Sequence, residues 1–599
     1  MPTNTSTSLI FRFAGNHFYT EGKFVNTLQA AEQIGASRLA LNLTNGYLDE
    51  TCLDKSDIDN RLSRVRTVIA KLRHRGISAD LVLPSLTGAD KNATSGLLKF
   101  LYRGAADTQA RTLWIDDIAY PQNRRFNRKN LMAWFRTIGQ TVHTRNPRIR
   151  LGLMASFEKY AKVGTTAEKL AGLLAGGHPP LLGLVQPLIH DYHRIDILKV
   201  AQYLATVAAA RAAANTHTEI LGVLDNRYPS TFHKSAQAVE VQINLNLLFG
   251  VKQMMLNCFD LTGTAPGSED AYLNMQQHHH RLMGKLGRLL PERPQHEGLC
   301  LVVPERPGPT DLQNPWPIIL WRLGLAVTMA TPATVSEHES AFILTGDLPK
   351  NMKRQELKHI FSRGVLLDAQ AALTIQEMGW GDMLGVKVGG PISRVQTEIL
   401  TDQSFAAPYY GQRIVVAGHL TRSDFHRLSA VQSAARPITT FEQKNRRPDT
   451  NGMFIFDDRK NNQRCAVLAY SLDHAEADFM LLPARRRHFQ DLFGWLGRRR
   501  LNCFVESSAD LAPFYIRLGQ RRRIILALVN VGFDRALDSR IRFGGLPFAV
   551  KRVRKLNEQG KIVEHKGLKM QRCRDYQYLH LTGAAAVGPL QMTILLLEG

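Results

Sequence analysis

The chain is predicted to be an α/β protein: a (β/α)8 barrel over residues 1–295, a smaller α/β domain over 296–390, and a β-rich region over 391–599 ending in a β-sandwich. Three observations lead there. Short apolar runs alternate with amphipathic stretches eight times before residue 260. Most of those runs are almost wholly apolar, as in a parallel sheet covered on both faces. After residue 391 the helix-like periodicity gives way to closely spaced strand-like runs.

The elements follow in order. LIFRF (9–13), RLALNL (38–43), ADLVLP (79–84) and TLWID (112–116) are the first four strands. IRLGLMA (149–155), LLGLVQ (181–186), EILGVL (219–224) and QMMLNCF (253–259) are the next four. Between them, FVNTLQAAEQIG, NRLSRVRTVIAKLRHRG and ILKVAQYLATVAAARAAA carry apolar residues at helical spacing. Eight such units in about 250 residues are the size of a (β/α)8 barrel. From Glu297, GLCLVVPER, LGLAVTMA and AFILTG predict strands, KRQELKHIFSRG a helix, GVLLD (364–368) a further strand and AQAALTIQEMGWGDML a further helix. Beyond Pro391, QRIVVAGHL, GMFIFDD and QRCAVLAYSL predict strands, and RRRHFQDLFGWLGRR a helix among them. RRIILALVNVGF, FAVKRVRKL and GPLQMTILLLEG predict the closing sandwich.

Composition bounds the function. At 599 residues the chain exceeds what one core supports. No run of about 18 apolar residues is present, so no membrane span is expected. MPTNTSTSLIFRFAG lacks a basic segment followed by a long apolar one, so no secretory signal is expected either. The six cysteines are scattered without a CxxC pair, which points to free thiols in a reducing, cytoplasmic setting. The net charge of +24 favours polyanions: nucleic acid, anionic lipid or acidic polysaccharide. Arginine triplets stand at 485–487, 498–500 and 521–523. Nothing near them resembles a helix-turn-helix, a zinc finger or an aromatic RNA-binding strand, so nucleic acid is not expected.

The chemistry should sit where the predicted strands end, because barrel enzymes keep their active sites at that mouth. In TLWIDDIAYPQ, strand four ends in Asp116 and Asp117. Asn42, Asn45 and Tyr47 follow strand two, Ser156 and Glu158 strand five, and His190, Asp191, Tyr192 and His193 strand six. Strand seven ends in Asp225, Asn226 and Arg227, and strand eight supplies Asn257 and Asp260. The other mouth, sampled at Gly35, Ala36 and Ser37, is plainer. Carboxylates, amides and aromatic rings suit sugars, whose cleavage needs one acid and one base or nucleophile. A metal site would use similar groups, but no HxH or HExxH occurs in the barrel strands, and neither metal nor cofactor is expected. The triplet His278 to His280 is expected to be a solvent-facing surface feature.

The order of barrel, small α/β domain and β-sandwich resembles glycoside hydrolase family 42 β-galactosidases, whose middle domain is related to glutamine amidotransferases and helps form trimers. Local motifs are similar to those of bacterial glycoside-hydrolase-like proteins of the same architecture. They share a WIDDD-like fourth strand, here Trp114 to Asp117 and then Ile118, and an ENxxP-like seventh strand, here Asp225 to Pro229. RGVLLDAQAALTIQEMGWGDMLGV (363–386) matches a third shared stretch. The resemblance implies a glycoside hydrolase that forms homo-oligomers, with trimers the family precedent. Two departures limit it. Family members carry glutamates where this chain has aspartates, and each shorter side chain withdraws its carboxylate by roughly 1.5 Å. That moves the pair from the ~5–5.5 Å of retaining enzymes toward the ~6.5–9.5 Å of inverting ones. No cysteine follows GVLLDAQ or LTGDLP, so the middle domain lacks an amidotransferase nucleophile.

Neighbouring residues of a strand point opposite ways, so only one of Asp116 and Asp117 can face the mouth as acid or base. Asp225 is the expected opposing carboxylate. Asn42, Tyr47, Glu158, His190, Asp191, Tyr192, Asn226 and Asp260 are expected to bind substrate, an oligo- or polysaccharide, with acidic polymers included because of the charge. A competing reading ties Asp117 and Asp225 to Arg124, Arg125 or Arg227. In that case the mouth only recognises glycan.

Overall fold

The computed structural model describes residues 8–13, 21–33, 36–43, 54–84, 91–116, 128–187, 195–214, 217–225, 235–257, 271–392, 395–416, 425–443, 448–472, 477–498, 501–506, 510–519, 522–573 and 576–599. Two compact units divide the chain: one of residues 1–200, 216–293 and 558–561, the other of 201–215, 294–557 and 562–599.

The first unit holds a closed barrel of eight parallel strands: β1 (Ser8–Phe13), β2 (Arg38–Asn42), β3 (Ser78–Pro84), β4 (Thr112–Asp116), β5 (Arg150–Ala155), β6 (Leu181–Val185), β7 (Glu219–Asp225) and β8 (Gln253–Asn257). Each runs within two residues of its predicted bounds. The helices are α1 (Glu21–Gln33), α2 (Lys55–His74), α3 (Lys91–Ala106), α4 (Arg128–Arg145), α5 (Ala167–Leu174), α6 (Asp196–Ala214), α7 (Ala236–Leu248) and α8 (Ala271–Leu289). Local chemistry sets their ends. Asp54 caps α2 by accepting from the Asp57 amide at 2.8 Å, and Lys71, Arg73 and His74 meet the negative end of the helix dipole. Thr166 and Ser235 cap α5 and α7 in the same way.

Ile10, Ala40, Val82, Trp114, Met154, Leu181, Leu221, Val223 and Met255 fill the barrel. Trp114 is the bulkiest of these, and the neighbouring strands make room for it with glycine. A Cβ on Gly152 would stand 2.5 Å from its ring, and one on Gly183 would stand 3.2 Å away. These lining residues fix which alternate positions of each strand point inward.

The second unit carries a nine-stranded sheet in the order Val327–Ala330, Leu299–Val302, Phe342–Leu344, Val365–Leu367, Gln463–Leu468, Pro448–Asp458, Ala435–Gln443, Val395–Leu400, Arg413–Val415. The first five strands are parallel and the rest antiparallel. One sheet therefore continues across residue 390, where the sequence reading places a domain boundary. The parallel half has the predicted strands and helices, including Arg354–Arg363 and Ala369–Glu377. A four-stranded and a six-stranded sheet form the C-terminal β-sandwich around Leu511, Tyr515, Leu526, Ile541, Leu579 and Leu597.

The arginine triplet at 485–487 is not simply basic surface. Arg485 is completely buried and donates to Glu398 at 2.5 Å, and Tyr470 donates to the same carboxylate at 3.2 Å. Cys300, Cys465 and Cys503 are buried free thiols, while Cys573 is exposed. Among the described residues no helix is long and apolar enough to cross a membrane.

Candidate active site

Three strand ends build the site. Arg12, Asn42 and Asp116 stand two residues beyond the lining residues Ile10, Ala40 and Trp114, so all three side chains turn into the barrel at its C-terminal end. The Arg12 guanidinium donates to Asp116 Oδ2 and, at 3.3 Å, to Asn42 Oδ1. Arg12 is 1% exposed, and Asn42 and Asp116 are each 2% exposed. A charge buried this deeply survives only when paired, and here each ion is the other's counterion. The pairing leaves a remainder: Asp116 Oδ1 is buried and accepts no hydrogen bond among the described residues.

The strand register extends this cluster around the mouth. Asp225 closes β7 with its backbone opposite Asn257 of β8, which lies opposite Arg12 of β1. At the usual strand spacing that row spans about 10 Å. Glu158 lies in the turn after β5, half-buried, with Oε2 enclosed and without a partner among the described residues. No hydrogen bond or ion pair joins it to the Arg12 cluster. Asp117, Tyr47, His190, Asp191, Tyr192, Asn226 and Asp260 lie outside the described residues, as do Arg124, Arg125 and Arg227.

Sequence reasoning missed Arg12. Its signal was a single arginine inside the apolar LIFRF run, at a position that alternation turns inward. The plainness expected of the opposite mouth also fails. There Arg38 donates to both oxygens of Asp80, at 3.1 and 2.6 Å, and to Thr112 Oγ1 at 3.1 Å. The Trp114 indole donates to Asp80 Oδ2 at 2.9 Å. A third correction concerns the histidine triplet. His279 is 3% exposed and is held between Glu240, at 3.0 Å, and Asn244, at 3.2 Å, where α8 packs on α7. Solvent reaches His280 instead.

No protein-family model matches the chain, and no curated protein matches it. Solved structures do. An α-L-fucosidase isoenzyme 2 from Paenibacillus thiaminolyticus is similar with a TM-score of 0.60 at 10% identity, over 99% of this chain and 100% of that one. A β-galactosidase from Halorubrum lacusprofundi is similar with a TM-score of 0.55 at 10% identity, over 99% of both chains. A β-galactosidase from Marinomonas ef1 has a TM-score of 0.51 at 8% identity, over 99% of this chain and 100% of that one. Identities this low establish a shared fold.

Proposed function

We propose that the barrel mouth cleaves a glycosidic bond in an oligo- or polysaccharide. Asp225 and one of the two strand-four aspartates form the carboxylate pair. The observation that carries this reading is the Asp116 oxygen that has no partner among the described residues. It is a buried acceptor beside a fixed guanidinium and an amide, at the end of the barrel where such folds do chemistry. A sugar hydroxyl is a natural donor to it. Likeness over whole chains to a fucosidase and two β-galactosidases supports a glycoside among the many substrates of barrels. Because Asp116 is the strand-four aspartate that turns inward, the pair is Asp116 with Asp225, and Arg12 fixes the Asp116 carboxylate where substrate can reach it. Asn42, Tyr47, Glu158, His190, Asp191, Tyr192, Asn226 and Asp260 then contact the sugar. Assembly into homo-oligomers, which the family resemblance implies, belongs to the same reading. Sedimentation equilibrium would then return a species heavier than one 67.2 kDa chain.

The ion pair also favours a second reading, a mouth that binds glycan without cutting it, its carboxylate charge balanced by arginine. Sugar release from a panel of neutral and acidic glycans separates the two, run beside Asp116→Asn, Asp117→Asn and Asp225→Asn. Release that Asp225→Asn and one of the two strand-four substitutions abolish in folded protein supports the hydrolase. Binding that survives these substitutions, with no release from any glycan, supports the binder.

A further inference from the structure

The outer face of the six-stranded sheet ends in a cleft of about 600 Å³ lined by Arg522, Arg523, Lys551, Arg552, Arg554, Glu598 and Gly599. Strand register explains the crowding. Glu598, at the end of Met592–Glu598, lies opposite Arg523 on one neighbouring strand and Arg552 on the other. Ile524, Val553 and Leu597 pack into the sandwich core, so the alternate positions Arg523, Arg552, Arg554 and Glu598 face away from it. Glu598 is shared: Arg523 holds Oε1 at 3.0 Å, and Arg554 holds Oε2. Arg522, Lys551 and Arg552 are exposed and have no carboxylate partner among the described residues. Five cations thus surround one carboxylate, a field that is relieved by a bound polyanion.

We propose that this cleft binds an acidic polysaccharide, its guanidinium groups pairing with carboxylates carried along the sugar chain. The choice of polymer rests on the glycan reading of the barrel. It also rests on the cleft itself. No aromatic side chain lines it, whereas sites for single-stranded nucleic acid stack bases on aromatic rings. Its volume lies within the ~300–1,000 Å³ of ligand clefts, room for several sugar units rather than one small anion. Arginine suits this role because its planar fork matches a carboxylate with two parallel hydrogen bonds. The third arginine triplet of the sequence thereby gains a use that the barrel mouth does not supply.

The test titrates the full-length protein with polygalacturonate, dextran and a single-stranded DNA oligonucleotide, at ~50 and ~200 mM salt. Polygalacturonate should bind, more weakly at the higher salt, and dextran should not. Replacing Arg522→Ala together with Arg552→Ala should weaken binding at least about tenfold, and Arg552→Lys alone should weaken it less. A control with the same charge loss, Arg459→Ala with Lys460→Ala, removes an arginine that is 90% exposed elsewhere and should change binding less than about twofold. Thermal melts establish that each variant is folded. Equal losses in the control, equal binding of dextran, or tighter cleft-dependent binding of DNA would each overturn the proposal. Sugar release from the panel of neutral and acidic glycans is scored separately. Release without cleft-dependent binding sinks this inference alone, and cleft-dependent binding without release sinks only the hydrolase.

Discussion

The same barrel buries two arginine–aspartate pairs, one at each end, and they are built differently. At the N-terminal end, Asp80 accepts from two guanidinium nitrogens and the Trp114 indole, and Thr112 takes a further bond from Arg38. Both carboxylate oxygens are used. At the C-terminal end, Asp116 offers one oxygen to Arg12, and the other has no partner among the described residues. Leaving a buried acceptor unsatisfied costs about 1–3 kcal/mol, so a fold selected only for stability has reason to fill it. The closed pair is a fastening for the barrel floor. The open one keeps an acceptor that no described residue fills.

The largest expected effect is at the floor. Asp80→Ala strips the Arg38 charge of its counterion and should cost about 3–5 kcal/mol in a urea titration. A loss below about 1 kcal/mol would mean that the floor pair is not holding the barrel. Next comes a buried carboxylate without arginine. Asp368 caps the helix Ala369–Glu377 by accepting from the Ala371 amide at 2.7 Å, and burial lifts its pKa to about 6. Its folded value exceeds the unfolded one, so the native state holds the proton more tightly between roughly pH 4 and 6. Stability should fall across that window by roughly 2–3 kcal/mol as pH rises, and Asp368→Asn should flatten the slope.

At the mouth, Asp116→Asn keeps an acceptor for Arg12 but removes its counterion, and should cost up to about 3–5 kcal/mol of stability. It should also lower sugar release at least about tenfold, as expected when one of the carboxylate pair is lost. If stability falls as far as in Asp80→Ala while release is unchanged, the two ends do not differ as argued. The smallest effect belongs to an exposed pair on the same barrel, Arg75 with Glu32. Arg75→Ala should change stability by less than about 1 kcal/mol, which the same titration would show.

Local patterns made the barrel legible. Each strand is a short apolar run, and burial on both faces leaves that mark whatever the partner strands are. The same alternation brought Asp116 and Asn42 to one mouth from sequence alone. Arg12 was visible as a charge out of place in LIFRF, but its partner is 104 residues away and no local rule names it. The burial of Arg485 is illegible locally for the same reason, since its counterion Glu398 is 87 residues distant. One sheet spans residue 390 because Gln463–Leu468 pairs with the parallel strand Val365–Leu367 on one side and an antiparallel one on the other. A strand's own sequence does not say which neighbours it will take.

The sequence by itself determined the kinds of elements, their order and the strand ends that carry polar groups, because periodicity and apolar content act within a few residues. Only the tertiary structure decided which charges meet. Closing the barrel set Arg12 against Asp116 and Arg38 against Asp80, and strand register gathered Arg523, Arg552 and Glu598. Those encounters depend on contacts across the fold. The cost of burying a charge then requires that each one find its partner there.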